Sequence, residues 1–153
     1  MRGIAALTVL AAAIPLAVPG VADASQTFNV TKSSGTIRGH LAQPATADGY
    51  VFAGRFSDSK LGKGATTSRG SFDGLITSGT LTVFLAKGTV RGTFKFTAIP
   101  NADGTVTYQG TTKYMGGTGA YRRARGSGQT TGTQDAQGYT KYTYTQTLKL
   151  PRR

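Results

Sequence analysis

The chain has 153 residues and a formal net charge of +12, with 18 Lys and Arg residues against six acidic residues, all of which are Asp. This length suits a single domain. The sequence contains no Cys, which excludes a disulfide scaffold and a Cys-ligated zinc or iron–sulfur site. The absence of Glu, the abundance of Thr and the 22 Gly residues argue against a helical bundle and favour strands joined by tight turns.

The first 24 residues have the layout of a secretory signal peptide. Residues 1–2 give a positive start, residues 3–22 are uncharged and largely apolar, and residues 22–24 (Ala-Asp-Ala) form an A-x-A cleavage site. We therefore predict a secreted protein, with a mature domain over residues 25–153 and no transmembrane segment after cleavage. Cleavage leaves the charge unchanged, because one base and one acid leave with the peptide.

The remainder of the chain is typical of short strands separated by polar turns. We predict breaks at Ser33-Ser34, at Ser78-Gly79 and at Gly88, a polar Gly-rich loop over Lys60–Arg69, and a hairpin turn over Asn101–Gly104. The predicted strands are Gln26–Lys32, Gly35–Leu41, Gly49–Asp58, Ser71–Thr77, Thr80–Lys87, Thr89–Ala98, Thr105–Lys113, Arg125–Thr133 and Tyr139–Leu150. Eight or nine strands at fairly even spacing indicate an all-β fold.

Apolar and polar residues alternate along these strands, so that one face is apolar and the other is rich in Thr and Lys. In the strand over residues 89–98, Phe94 and Phe96 face one way while Arg91 and Lys95 face the other. The prediction is an antiparallel up-and-down barrel of eight or nine strands, because closure removes exposed sheet edges. A Greek-key sandwich is the alternative, and pairing of the first strand with the last distinguishes the two folds.

An eight-stranded barrel either fills its interior with side chains or leaves room for one small ligand. The inward face of the predicted strands carries most of the aromatic residues. The candidate ligand-binding residues of the lumen are Tyr50, Phe52, Phe56, Phe94, Phe96, Tyr108, Tyr142 and Tyr144.

Residues 115–128 read Met-Gly-Gly-Thr-Gly-Ala-Tyr-Arg-Arg-Ala-Arg-Gly-Ser-Gly. This segment resembles the G-G-T-G-x-[FY]-x-G-A-R-G segment of plant dirigent proteins and related allene oxide cyclase-like barrels. Arg123 stands where that family has Gly. The matching positions are Gly116, Gly117, Thr118, Gly119, Tyr121, Ala124, Arg125 and Gly126.

The resemblance implies an eight-stranded antiparallel barrel whose lumen holds an apolar small molecule and steers its ring closure or coupling. It also implies that the chain can form a homo-oligomer, since some relatives are trimers. The same segment has a plain structural interpretation, in which the glycines make a turn and an aromatic residue plugs the barrel end. No catalytic residue of the plant proteins maps onto a position of this chain.

The sequence offers little conventional catalytic chemistry. His40 is the single histidine, which is too few for the usual zinc sites, and no G-x-S-x-G segment places a serine nucleophile. Asp58 could lie at a barrel mouth, whereas Asp48, Asp73 and Asp103 precede Gly and are predicted turn residues. We predict no metal and no cofactor.

The sequence leaves open whether the protein is an enzyme, with a slight preference for a binding protein, and the catalytic residues are unknown. If it is an enzyme, it would be a cofactor-free cyclase or isomerase. Tyr108, Tyr142, Tyr144 or Arg55 would then polarise the guest. The predicted function is therefore that of a secreted basic barrel that binds a small apolar molecule in its lumen and guides its cyclisation or coupling.

The positive charge supports an alternative function: an extracellular binder of anionic polymers (a cell-wall polymer, a polysaccharide or nucleic acid) with a filled, purely structural barrel. Arg122, Arg123 and Arg125 are the candidate anion-binding residues. Nucleic acid is the least favoured of these partners, because period-two alternation places Phe94 and Phe96 opposite the cations and so separates a stacking surface from the charge.

Overall fold

The computed structural model describes residues 28–46 and 49–152. The predicted signal peptide over residues 1–24, and the predicted turn residue Asp48, lie outside these described residues. Within the two described ranges, no helix is both long enough and apolar enough to cross a membrane.

Eight antiparallel strands form one closed barrel in chain order, as the sequence predicts. The strands are β1 (Phe28–Thr46), β2 (Gly49–Asp58), β3 (Gly62–Asp73), β4 (Ile76–Leu85), β5 (Gly88–Pro100), β6 (Val106–Gly117), β7 (Arg125–Gln134) and β8 (Tyr139–Pro151). The barrel closes where β1 pairs with β8, from Phe28 opposite Pro151 to His40 opposite Tyr139. This pairing of first and last strands confirms the barrel and excludes the sandwich.

The predicted break at Ser33-Ser34 is wrong, and with it the ninth strand. The described part of the first predicted strand, residues 28–32, and the second predicted strand, Gly35–Leu41, belong to one long strand, β1, whose Ser33 and Ser34 pair with Gln146 and Thr145 of β8. Adjacent serines favour a turn in isolation, but a partner strand that satisfies their backbone groups overrides this preference.

The predicted loop over Lys60–Arg69 is also wrong, because most of it lies in β3 and pairs with both β2 and β4. Its inward residues include Thr66 and Ser68, which are small and carry hydroxyl groups, so it lacks the apolar alternation that reveals the other strands. The true turn is Gly74-Leu75, where Gly74 has a φ of 59°. The predicted Ser71–Thr77 strand therefore spans a hairpin turn, and Ser78-Gly79 lies within β4.

One end of the barrel is closed by a short 3₁₀ helix, η1 (Gly119–Tyr121), between β6 and β7. Tyr121 is buried there against the cluster that contains Phe56, Val90 and Leu148. We call this the capped end; it also holds the β2–β3 and β4–β5 connections. The opposite end holds the β3–β4, β5–β6 and β7–β8 turns.

We expect Gly119→Ala to destabilise the barrel more than Gly74→Ala. Both glycines have left-handed backbone, with φ values of 56° and 59°, so both variants incur the same conformational cost of about 1–2 kcal/mol. A Cβ on Gly119 would also lie 2.3 Å from the Lys87 carbonyl oxygen, whereas one on Gly74 would meet nothing within 4 Å. Thermal unfolding of the two variants measures the difference, and equal midpoints would contradict the tight packing of η1.

Candidate functional site: the barrel lumen

The interior of the barrel contains a cavity of about 70 Å³. Its walls come from all eight strands, because alternate residues of every strand point inward. All eight lumen candidates line this cavity: Tyr50, Phe52, Phe56, Phe94, Phe96, Tyr108, Tyr142 and Tyr144. The aromatic face of the predicted strands is thus the inner face of the barrel.

Several lining residues escaped the sequence prediction. Tyr114 lies on the same face of β6 as Tyr108, so its alternation signals an inward position. Phe72 was missed because β3 lacks an apolar pattern. The remaining lining residues are apolar or carry hydroxyl or amide groups: Ile37, Leu41, Thr66, Ser68, Leu81, Val83, Thr112, Thr130, Gln134 and Thr140.

Phe72 marks the mouth of the lumen. It lines the cavity, yet 44% of its surface is exposed, and it belongs to the end of β3 that leads into the Gly74-Leu75 turn. Its ring packs on Tyr50 with centroids 5.1 Å apart. Because Tyr121 closes the capped end, the opposite end is the side from which a guest would enter.

The lumen tyrosines divide into two groups by their hydrogen bonds. The Tyr108 hydroxyl donates to Gln134 Oε1 at 2.7 Å, and the Tyr50 and Thr77 hydroxyls are 2.7 Å apart. Among the described residues, the hydroxyls of Tyr114 and Tyr142 have no hydrogen-bond partner. They are therefore available to a molecule in the cavity.

Burial raises the pKa of both Tyr114 and Tyr142 well above the ordinary value for a phenol. The removal of water around the ring is the main cause in both cases. The charge of Asp58 adds to the effect at Tyr114, as does neighbouring Tyr108 at Tyr142. Both hydroxyls remain protonated at neutral pH and can donate a hydrogen bond.

The capped end contains a buried carboxylate, Asp58, at the end of β2. Its Oδ2 atom accepts hydrogen bonds from Ser33 Oγ at 2.9 Å, from the Tyr144 hydroxyl at 3.0 Å and from Gln146 Nε2 at 2.9 Å. Its Oδ1 atom accepts from the backbone N–H groups of Lys60 and Leu61, both at 2.8 Å. Asp58 lies at an end of the barrel, as the sequence suggested, but at the capped end, where it joins β8, β1 and the β2–β3 connection.

The Tyr144 hydroxyl can reach Asp58 because the β1 residue between them is a glycine. Gly35 of β1 pairs with Tyr144 on one side and with Asp58 on the other. A Cβ at Gly35 would lie 2.3 Å from the Tyr144 hydroxyl, so the phenol crosses β1 only because this position lacks a side chain. Asp58 has five donors and is committed to closing the barrel, which leaves it poorly placed to act on a guest.

The segment that carries the dirigent resemblance builds the capped end. Gly116 and Gly117 end β6, and Thr118 bonds to Thr89 through backbone and side chain. Gly119 and Tyr121 lie in η1, Ala124 is fully buried, and Arg125 and Gly126 begin β7. The glycines therefore make the turn, and the aromatic residue packs into the barrel end.

The three arginines proposed to bind anions have different roles in the structure. Arg122 and Arg123 are exposed next to η1. The Arg125 guanidinium donates to the carbonyl oxygens of Met115 and Ala124, so it braces the backbone of this connection. Arg55, considered as a polarising group for a lumen guest, is instead exposed on the outer wall, as is His40.

No group of three or more potential His, Cys, Asp or Glu metal ligands exists in residues 28–46 and 49–152. The polar groups that face the cavity are hydroxyls and amides of Tyr, Thr, Ser and Gln. Such a surface can orient a neutral guest through hydrogen bonds but supplies no metal or charge chemistry.

Comparison with known proteins adds a structural likeness only. No protein-family model and no curated protein matches this chain. A search of solved structures finds the pterocarpan synthase dirigent protein, which is 13% identical over 82% of this chain and 88% of that chain, with a TM-score of 0.33. The strand pairing by itself gives this chain a closed eight-stranded antiparallel barrel, which is the fold that the dirigent resemblance implied.

Proposed function

We propose that the protein binds a small, neutral, largely apolar molecule inside its barrel. The observation that supports this most directly is that Tyr114 and Tyr142 line the cavity while their hydroxyls make no hydrogen bond to the described residues. Two free phenolic donors in an aromatic cavity suit a guest that accepts hydrogen bonds.

The lining determines the charge of the guest. None of the residues that line the cavity is Asp, Glu, Lys, Arg or His. An ion moved from water into this lumen would lose its hydration without gaining a counter-charge, at a large cost in free energy. The guest is therefore uncharged, and the net charge of the protein plays no part in holding it.

The volume of the cavity requires some movement on binding. A cavity of about 150 Å³ accepts benzene, roughly twice the 70 Å³ of this lumen. Phe72 is the side chain best placed to move, because 44% of its surface is exposed at the mouth. Rotation of its ring toward solvent would lengthen the cavity without disturbing the capped end.

Guiding a cyclisation or coupling is an extension of the same proposal. A lumen that holds a reactive guest in one orientation biases which of its atoms meet, even without a catalytic acid or base. The buried carboxylate of Asp58 at the capped end does not line the cavity and is fully engaged, which favours a positioning role over proton transfer. We propose that this role is exercised outside the cytoplasm, on the strength of the signal-like residues 1–24.

Acetophenone and isopropylbenzene, two probes of similar shape, test the proposal. Acetophenone has a carbonyl acceptor and isopropylbenzene does not, so acetophenone should bind more tightly, by about 2- to 10-fold for one net hydrogen bond. Tyr142→Phe should remove this preference, while Tyr139→Phe, which alters a tyrosine of the outer wall, should leave it intact. Binding is followed by calorimetry and by NMR shifts of the lumen residues.

Two outcomes would contradict the proposal. Saturation without shifts of lumen resonances would place the probe outside the barrel. An unchanged preference in both Tyr142→Phe and Tyr114→Phe would show that the free phenols take no part in recognition. A Phe72→Ala variant should accelerate association, and slower binding in that variant would contradict the assigned mouth.

A further inference from the structure

The outer wall of the barrel carries a row of three cations. Lys141 of β8, Arg38 of β1 and Arg55 of β2 are consecutive cross-strand partners, and all three are exposed. Neighbouring strands are about 4.8 Å apart, so these side chains leave the wall side by side. Like charges at directly opposed positions destabilise a sheet, which makes this arrangement costly unless an anion compensates it.

The row borders a surface groove of about 810 Å³. Arg38, His40, Arg55 and Lys63 lie along it, and small residues such as Ala53 and Gly54 also line it. Small residues at these positions leave room between the long cationic side chains. The groove lies on the outside of the barrel wall and is separate from the lumen.

The described carboxylates are placed elsewhere. Asp58 is inside the wall, and Asp73 and Asp103 are at the turns of the opposite end. Asp135 is nearest in sequence to the groove residue Tyr139, but its Oδ1 atom accepts from the backbone N–H groups of Gln137 and Tyr139. None of these four acids belongs to the groove lining.

A second row, two residues along the strands, consists of hydroxyl groups. Thr131, Thr143, Thr36 and Ser57 are consecutive partners across β7, β8, β1 and β2, and the row ends at Lys63 of β3. The Thr131 and Thr143 hydroxyls already lie 3.1 Å apart, within hydrogen-bond distance. Hydroxyl groups beside cations offer partners for both the hydroxyls and the acidic groups of a sugar chain.

We propose that this groove binds an anionic polysaccharide across β8, β1 and β2. The cations form a line instead of converging on one point, which suits repeated charges on an extended chain. Tyr139 packs edge-on against His40 with centroids 4.9 Å apart, and Phe56, which also borders the groove, is buried in the barrel core. The groove therefore has no row of free rings on which successive bases could stack, and a sugar polymer fits better than a nucleic acid.

Matched double variants test the site. Arg38→Gln with Arg55→Gln removes two charges from the groove, and Arg69→Gln with Arg91→Gln removes two from exposed positions of β3 and β5. On immobilised polygalacturonate, the groove variant should bind about tenfold or more weakly, and its slope of log Kd against log salt should fall by about two. The control variant should lose no more than about threefold, as expected for general charge.

The hydroxyl row has its own test. Thr36→Val with Thr143→Val should weaken binding to polygalacturonate more than binding to inorganic polyphosphate, since polyphosphate offers these hydroxyls only acidic oxygens and no sugar hydroxyls. Equal losses in the groove and control variants would overturn the site. Binding of single-stranded DNA as tight as that of polygalacturonate, with the same loss in the groove variant, would overturn the choice of partner. Circular dichroism verifies that each variant retains the barrel.

Discussion

Asp58→Ala is expected to lower the free energy of unfolding by at least ~3 kcal/mol. The substitution removes the shared acceptor of three buried side-chain donors, those of Ser33, Tyr144 and Gln146, and the acceptor of two backbone N–H groups. Gln146 Nε2 keeps Ser33 Oγ at 3.0 Å and the Tyr144 hydroxyl keeps only a long contact of 3.4 Å to the Ser57 carbonyl oxygen. The Ser33 hydroxyl and the two N–H groups therefore lose the most. Each buried donor left unsatisfied costs about 1–3 kcal/mol. The loss is concentrated where β1 meets β8, so it weakens the closure of the barrel itself.

Asp135→Ala is the matched control. Asp135 also accepts two backbone N–H groups in a turn, but it is exposed and has no buried side-chain donors. We expect a loss of about 1 kcal/mol there, because water replaces the carboxylate. Urea unfolding of both variants measures the difference, and equal losses would show that the buried network contributes nothing beyond the turn.

The protein is expected to unfold cooperatively as the pH rises above 10. Burial raises the pKa of Tyr114, Tyr142 and Tyr144 above the ordinary value of 10.0, and at Tyr144 the charge of Asp58 adds to the effect. Below pH 10 these phenols are protonated in both the folded and the unfolded chain. Above it the unfolded chain releases protons that the folded protein retains, so stability falls as the pH rises.

The steepness of this loss follows from the number of tyrosines. Above pH 10, each of these tyrosines lowers the free energy of unfolding by about 1.4 kcal/mol per pH unit, so the three together lower it by about 4 kcal/mol per unit. A domain of typical stability, about 5–15 kcal/mol, would lose much of it between pH 10 and about 12. Phenolate absorbance and the circular dichroism of the sheet should change together. Reversible ionisation of these three tyrosines near pH 10 with an intact barrel would contradict the prediction.

Tyr142→Phe separates this mechanism from general alkaline damage. The variant lacks one of the three titrating groups, so its stability should fall less steeply with pH above 10. The Tyr139→Phe variant, altered on the outer wall, should follow the parent protein. Identical slopes in all three proteins would place the alkaline transition outside the lumen.

Period-two alternation in the sequence is sufficient to predict the inner face of most of the barrel. It places Phe94 and Phe96 opposite Arg91 and Lys95 in β5, and it does the same for the tyrosines of β8. This works because a strand in a closed barrel has one face toward the interior and one toward solvent. Apolar residues therefore indicate the inner face and polar residues the outer face. β3 is the exception, since its outward residues are polar and its inward ones are small.

The roles of Asp58, Gly35 and Arg55 depend on which strands become neighbours. Ser33 and Gln146 are 113 positions apart, yet closure brings them together on one carboxylate. The same closure sets Lys141, Arg38 and Arg55 in one row. The sequence by itself determined which residues face in or out, because that depends on local alternation. Only the tertiary structure decided which of them meet, because cross-strand contacts depend on register, and register is a property of the whole closed sheet.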